Sequence, residues 1–320
     1  MSQNQQKKSK IVPPLPVREG IAPSRVWLPR GQWQTLGEFL FERFVHLDPS
    51  GLESRISRGD IVNGSGEAQA MTTPYQPDQW LWYYREVENE AIVPFELSIL
   101  HADQHLIAVD KPHFLASVPT GSYLRETALT RVRLAFDNSD ITPLHRLDRD
   151  TAGVLLFCVK PEYRGAYQRL FQTQKVGKVY EAVAPTYTGQ SLPFNRRSCI
   201  ELTAGEFVVR EVEGVPNSET VVETLATWFD SEQRQSLTHY QLRPITGRKH
   251  QLRVHMSGLG CPILNDSYYP VWDKNRAIDD YRRPLQLLAR RVAFVDPIDG
   301  QYREYCSQRQ LASVLPGGVE

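Results

Sequence analysis

His145-Arg146-Leu147-Asp148-Arg149-Asp150-Thr151-Ala152-Gly153-Val154-Leu155-Leu156-Phe157 is the stretch on which the reading of this chain turns. It sets two carboxylates and two guanidinium groups directly ahead of an apolar run, Gly153 to Val159, with the length and composition of a strand buried on both faces. Ionised groups at the mouth of such a strand must be paired, or they raise the cost of folding. By spacing alone the stretch reads either as a charged turn before a strand or as a site. The site reading is favoured because charges placed there rarely serve a core.

Other blocks accompany it. Val109-Asp110-Lys111-Pro112 lies upstream, and Lys178-Val179-Tyr180-Glu181-Ala182 follows. Then comes Arg243-Pro244-Ile245-Thr246-Gly247-Arg248-Lys249-His250-Gln251-Leu252-Arg253-Val254-His255, and after it Gly260-Cys261-Pro262-Ile263-Leu264-Asn265-Asp266. In this order the blocks resemble the motifs of the RluA family of RNA pseudouridine synthases. That family's signature reads His-Arg-Leu-Asp, two variable residues, Thr-Ser-Gly, then an apolar strand; Ala152 stands where Ser is usual. The resemblance runs from about Pro94 to the C-terminus. It implies an α+β pseudouridine synthase fold, with a central mixed or antiparallel sheet, flanking helices and an active-site cleft.

Composition is compatible with an RNA substrate without advertising it. The 320 residues hold 37 Lys plus Arg against 37 Asp plus Glu, a formal net charge of zero. Positive charge must therefore be local if RNA is bound. It is unevenly spread: Arg243 to His255 holds Arg243, Arg248, Lys249 and Arg253 with no acid, whereas Arg85 to Glu96 is acidic. Before Trp33, Lys7, Lys8, Lys10, Arg18, Arg25 and Arg30 face only Glu19. Cys158, Cys199, Cys261 and Cys306 form no CxxC pair, so neither a zinc site nor a disulfide framework is indicated and a reducing compartment fits. The first residues are polar, and the longest apolar run, Ala152 to Val159, is too short to span a bilayer. A soluble, cytoplasmic protein with no membrane association is expected.

Along the chain, residues 1–32 are rich in Pro, Gln, Lys and Ser and read as a flexible basic tail. Residues 33–92 form a second segment. There Leu36, Phe39, Leu40 and Phe44 have helical spacing, and Arg55 to Gly64 turns into a short strand. This segment resembles a degenerate S4 domain, a small αβ RNA-binding module; by pattern alone it is equally an αβ cap. Residues 93–320 make up the catalytic domain. Strands are expected over Leu106 to Val109, Gly153 to Val159, Thr238 to Leu242 and Leu285 to Val295. A helix opening at Pro161 carries Tyr163, Ala166, Tyr167, Leu170 and Phe171 on one face, which suits core packing better than base stacking.

Converting uridine to its C-glycoside isomer requires breaking the N1 glycosidic bond, rotating the uracil and joining C5 to the same sugar carbon. No organic cofactor or metal is needed. A carboxylate beside the anomeric carbon acts as nucleophile, or takes the 2′ proton and stabilises positive charge at C1′. The resemblance assigns that role to Asp148, with Asp150 as a rival by proximity only. It pairs Arg253 with Asp148, and a cation is needed there because desolvation would otherwise protonate a lone carboxylate. It lays Tyr180 against the target uracil, where the ring supplies surface and the hydroxyl can assist proton removal from C5. Leu252 would close the pocket against the base, Arg146 would enter the space left by the flipped nucleotide, and His145 would orient the loop. Arg248 and Lys249, after Gly247 at an expected helix start, would hold phosphate. The RNA implied first is ribosomal large-subunit RNA, with transfer RNA second, acted on by a monomer without an obligate protein partner. Two alternatives compete: a divalent-metal site on the Asp-x-Asp of Asp148 and Asp150, and a noncatalytic RNA-binding or ribosome-assembly protein on the same fold.

Overall fold

The computed structural model describes residues 12–45, 47–87, 89–202, 207–232 and 234–313. The chain divides into two compact units, Met1–Glu88 and Asn89–Glu320.

In the first unit, β1 (Ser24–Leu28), α1 (Leu36–Arg43), α2 (Pro49–Ser57), β2 (Ile61–Val62) and β3 (Gln79–Tyr83) follow in order. The three strands form one antiparallel sheet, β1-β3-β2. Thr35 caps α1 by accepting from the Glu38 amide, and Asp48 caps α2 by accepting from the Gly51 amide with Pro49 in its first turn. Val26 and Leu28 of β1, Leu36, Phe39 and Leu40 of α1, and Leu52 and Ile56 of α2 share one core with Ile61 and Leu81. The expected tail is thus corrected. Residues 1–11 lie outside the described residues, but Ser24 to Leu28 alternates exposed and buried positions and pairs with β3 from Ser24↔Tyr83 to Leu28↔Gln79. Burying Val26 and Leu28 offsets the ordering entropy that composition alone suggested could not be met.

The boundary between units also moves. Residues 89–92 belong with the second unit, because the Glu90 carboxylate accepts from the backbone amides of Leu124 and Glu126 at 2.7 and 2.8 Å and of Arg125 at 2.9 Å.

The second unit runs β4 (Ser98–Ala102), β5 (Leu106–Lys111), α3 (Ala128–Ala135), β6 (Thr142–Pro143), β7 (Ala152–Cys158), α4 (Pro161–Gln172), β8 (Gly177–Pro185), β9 (Phe194–Leu202), β10 (Val209–Val212), β11 (Ser218–Asp230), β12 (Gln235–Pro244), α5 (Gln251–Gly258), β13 (Leu287–Val295) and β14 (Tyr302–Cys306). Its strands make one sheet in the order β10-β9-β11-β12-β8-β13-β7-β5-β4, with β14 added to β13 and β6 to β7. Among the described residues the pairs are antiparallel except β7 with β13, which is parallel. The α+β architecture with a mixed sheet is therefore the one expected.

At the centre, β5 and β7 are buried along their whole length. Their alternate residues enter different cores. Ile107, Val109, Leu155 and Phe157 pack with Leu129 and Val132 of α3, whereas Leu106, Ala108, Val154, Leu156 and Cys158 pack with Tyr167 of α4 and Val292 and Phe294 of β13. Two-sided burial is why these strands read as unbroken apolar runs. Tyr163, Leu170 and Phe171 pack on the second of these cores, so the α4 aromatics are core residues.

Gly153 marks where β7 meets β13. It has φ +113°, and a Cβ there would lie 2.2 Å from the Ala289 carbonyl oxygen and 2.7 Å from its carbonyl carbon and amide nitrogen. Both the backbone conformation and the close parallel approach demand glycine. Gly153→Ala should therefore destabilise the chain by at least about 2 kcal/mol, read as a lowered urea midpoint; an unchanged midpoint would show that the two strands can separate freely at this point.

Candidate active site

The loop from His145 to Thr151, between β6 and β7, is held from below at each residue that matters. The Ser117 hydroxyl donates to the Leu147 carbonyl at 2.7 Å and accepts from the Leu147 amide at 3.1 Å. The Lys111 ammonium, fully buried at the end of β5, donates to the Arg149 carbonyl at 3.1 Å as well as to those of Pro112 and Leu115. The His113 imidazole meets the Asp150 carbonyl at 2.7 Å. Leu147 itself is buried in the α3-side core. The charged residues between these anchors are thereby lifted out of the core, and Asp148 remains 31% exposed.

Arg253 approaches from α5, and its side chain is 1% exposed. It is gripped first by a residue to which the sequence assigned no role. Asp266, itself wholly buried, accepts from Arg253 Nε at 2.7 Å and from Nη2 at 2.5 Å. The third nitrogen, Nη1, faces Asp148 Oδ2 at 3.4 Å. Burial alone opposes charge on this guanidinium, but the Asp266 hydrogen bonds and charge, with Asp148 behind them, more than offset it and move its pKa upward. Asp266 also accepts from the backbone amides of Tyr268 and Tyr269 at 2.8 and 3.1 Å, which satisfies its carboxylate and ties the loop after α5 to the same cation.

Tyr180, on β8, is half-buried against Leu252 and the cluster around α5, and also packs on the α3-side core. Burial and then the nearby Asp148 charge push its phenol upward, so at neutral pH the hydroxyl keeps its proton. Proton removal by Tyr180 as a phenolate is thus disfavoured; the ring offers a surface and a donor. Asp148, Arg253, Tyr180 and Leu252 come together as the sequence suggested. Asp150 does not join them as an equal: its carboxylate pairs with Arg149 at 2.9 Å, so the two acids of Asp-x-Asp face different guanidinium groups and the metal alternative loses its geometric basis.

The remaining predicted residues divide. Arg146 is exposed beside the loop. His145 turns inward: its ring stacks on Phe171 with centroids 5.0 Å apart, and Nε2 accepts from the Leu156 amide at 3.2 Å, so it anchors the loop from behind. The helix start expected at Gly247 falls four residues later, because His250 caps α5 in a left-handed conformation at φ 53°. Arg248 and Lys249 therefore sit in the turn ahead of α5, where Arg248 Nε donates to the Asn217 carbonyl at 3.2 Å and the Lys249 ammonium to the Phe207 carbonyl at 2.5 Å. His250 was missed as a site residue. Its Nε2 lies 3.9 Å from Asp148 and its Nδ1 3.0 Å from the Tyr269 hydroxyl. A charged Lys111 closing an apolar strand was the one sequence signal for the loop's anchor.

Comparison with known proteins then decides the family. Residues 105–258 match the RNA pseudouridylate synthase family. An uncharacterised RNA pseudouridine synthase of Synechocystis sp. is 30% identical over 244 residues, spanning 72% of this chain and 78% of that protein. The chain belongs to the RNA pseudouridine synthases. Its RluA-type character is supported by the dual-specificity RNA pseudouridine synthase RluA of Haemophilus influenzae, 33% identical over 196 residues and covering 57% of this chain and 80% of the relative. The fold is shared with human RNA pseudouridylate synthase domain containing 1, at TM-score 0.54 and 24% identity over 67% of this chain and 84% of that one. None of the described helices is long and apolar enough to cross a membrane.

Two expectations follow for this pseudouridine synthase. Asp266→Asn keeps the shape but leaves Arg253 with one buried carboxylate fewer; stability should fall by roughly 3–5 kcal/mol. Single-turnover modification, compared at a temperature where both proteins are folded, should slow at least about tenfold because the guanidinium is no longer fixed. Wild-type stability and rate in this variant would show that Asp148 alone orients Arg253.

The second concerns acid. Loss of water around the imidazole rings depresses His113, His250 and His255 to about 4 and His145 to about 3. All four are neutral in the folded state at pH 7, whereas in the unfolded chain they take up protons near pH 6.5. Between those values the unfolded state binds more protons, so stability present above pH 6.5 is lost as pH falls towards 4. Urea unfolding at pH 5 should show a loss of roughly 1.4 kcal/mol per pH unit for each histidine that titrates; a midpoint equal to that at pH 7 contradicts neutral buried rings.

Proposed function

We propose that this RNA pseudouridine synthase isomerises specific uridines in structured RNA, ribosomal large-subunit RNA first and transfer RNA second, with Asp148 as the group that acts at the sugar. The observation that carries the reading is a partly exposed carboxylate whose guanidinium partner is itself locked by a buried acid. Asp148 is free on its solvent side to reach C1′ as nucleophile, or the 2′ proton as base, while Arg253 keeps its charge available. The Tyr180 ring then supplies the face against which the detached uracil turns, and Leu252 closes that pocket from α5. The Tyr180 hydroxyl, which keeps its own proton at neutral pH, can relay the C5 proton to solvent water. Arg146, exposed beside the loop, is suited to fill the stack that the target nucleotide vacates.

The first unit is proposed to be an S4-like RNA-binding module, and the protein to act as a cytoplasmic monomer without cofactor. Relatives differ in named specificity: the Haemophilus influenzae protein is called a dual-specificity RNA pseudouridine synthase, and one from Haemophilus ducreyi, 32% identical over 212 residues, a tRNA pseudouridine synthase. Both substrates are therefore carried into the test.

Pseudouridine mapping of total RNA from cells with and without the gene should reveal the target uridines, and purified protein should restore them. Asp148→Asn should abolish restoration while RNA affinity stays within a few fold, since shape is kept and only the reacting charge is lost. Asp150→Asn should retain substantial activity, and EDTA should leave modification of a prefolded minimal RNA unchanged. A chain shortened to begin at Asn89 should bind RNA more weakly and with a smaller salt slope. Pseudouridine made by Asp148→Asn, or a wild-type protein that binds RNA and modifies none of it, would overturn the mechanism.

A further inference from the structure

A train of aromatic rings runs outward from Arg253, and the isomerisation chemistry uses none of its outer rings. The Arg253 guanidinium carbon lies 4.7 Å from the Tyr268 ring centroid. His250 lies parallel to Tyr268, with an interplanar angle of 8° and centroids 5.6 Å apart. Phe207 packs edge-on against Tyr268 at 5.2 Å, and Trp272 does so at 6.1 Å. Exposure rises along the train: His250 is buried, Tyr268 half-buried, and the outer rings Trp272 and Phe207 are 43% and 48% exposed. Each outer ring carries a cation, the Lys249 ammonium 3.9 Å from the Phe207 centroid and the Lys274 ammonium 5.2 Å from that of Trp272.

Packing does not require two large rings to stand half in water at the end of such a train. Nucleic acid does make use of such a pair. Aromatic faces stack bases of any sequence, and ammonium groups beside them meet the phosphates between bases. There is also a specific demand for this surface. When a target nucleotide leaves its stack, the base next to it loses a neighbour, and a protein ring that replaces the lost contact lowers the cost of extrusion. The train starts from the two side chains that face Asp148, Arg253 at 3.4 Å and His250 at 3.9 Å, so its rings are the surface next to the reaction centre on that side.

We infer that Phe207, Tyr268 and Trp272 form a stacking subsite for the unpaired base adjacent to the target uridine, with Lys249 and Lys274 on the flanking phosphates. This rests on the reading of Asp148 as the reaction centre, but its test reads binding and needs no turnover, so the two can fail separately.

The probe is an end-labelled oligouridine heptanucleotide carrying 2-aminopurine on the 5′ or the 3′ side of the central uridine. Anisotropy of the label reports affinity for the full-length protein, and 2-aminopurine fluorescence reports stacking. Binding should quench one of the two probes. Trp272→Leu and Phe207→Leu should each weaken binding roughly 5- to 100-fold and relieve the quenching, whereas Trp272→Phe, which keeps a ring, should retain most of both. An abasic residue in place of 2-aminopurine should weaken the wild-type protein by a similar factor and leave Trp272→Leu no weaker than before. Absent binding, unquenched probes, or a Trp272→Leu protein that behaves like Trp272→Phe would each overturn the subsite.

Discussion

The site depends on one buried cation shared between two acids. Arg253 is taken almost wholly out of water, and a guanidinium in that position is tolerated only when its charge and its donors are matched. Asp266 matches them from inside with two hydrogen bonds, which fixes the plane of the guanidinium and leaves the third nitrogen aimed at Asp148. The difference in exposure assigns different tasks to the two carboxylates. The wholly buried one is structural, and the one at the surface keeps an open side for chemistry. Because Asp266 also holds the amides of Tyr268 and Tyr269, α5, the loop after it and the loop bearing Asp148 are set by the same ion.

α5 can present Arg253 only because its other faces are satisfied. His255, fully buried, meets the Thr220 hydroxyl at 2.9 Å through Nδ1 and the hydroxyls of Ser218 and Ser198 at 2.9 and 3.1 Å through Nε2. Gln251 reaches the Glu219 carbonyl and the Thr220 hydroxyl, and its own carbonyl accepts from Thr246 and from the Arg248 amide. A buried network in which each member has partners rigidifies the helix against β9 and β11. The His255 ring is neutral at pH 7 because its burial disfavours the charged form.

On the opposite wall, the loop of Asp148 inherits its position from the central strands. β5 and β7 are buried on both faces; the Lys111 ammonium at the end of β5 and the Ser117 hydroxyl in the segment after it hold the backbone of the loop. Gly153 then lets β13 approach β7 closely enough for the strand to start directly after that loop.

The sequence by itself determined the α+β class, the central strands and α4, because strongly periodic or wholly apolar runs are local signals; the grouping of Asp148, Tyr180, Leu252 and Arg253 came only through the resemblance of its motifs to a known family. It also pointed to a short strand somewhere in Arg55 to Gly64 and to helical spacing over Leu36 to Phe44. Tertiary structure alone decided the rest. Ser24 to Leu28 becomes a strand only because β3 supplies its hydrogen bonds and α1 and α2 its core. The register at which α5 begins is set by His250 packing against Tyr268 and Tyr269, contacts about twenty residues away that no helical signal encodes. Asp266 and Lys111 were visible as charges within quoted motifs, but their tasks are defined by what lies across from them in space: a guanidinium thirteen residues distant for one, and the carbonyl of Arg149 for the other. Which way a buried charge points depends on where its partner has been placed, and that is fixed only when the sheet has brought distant strands together.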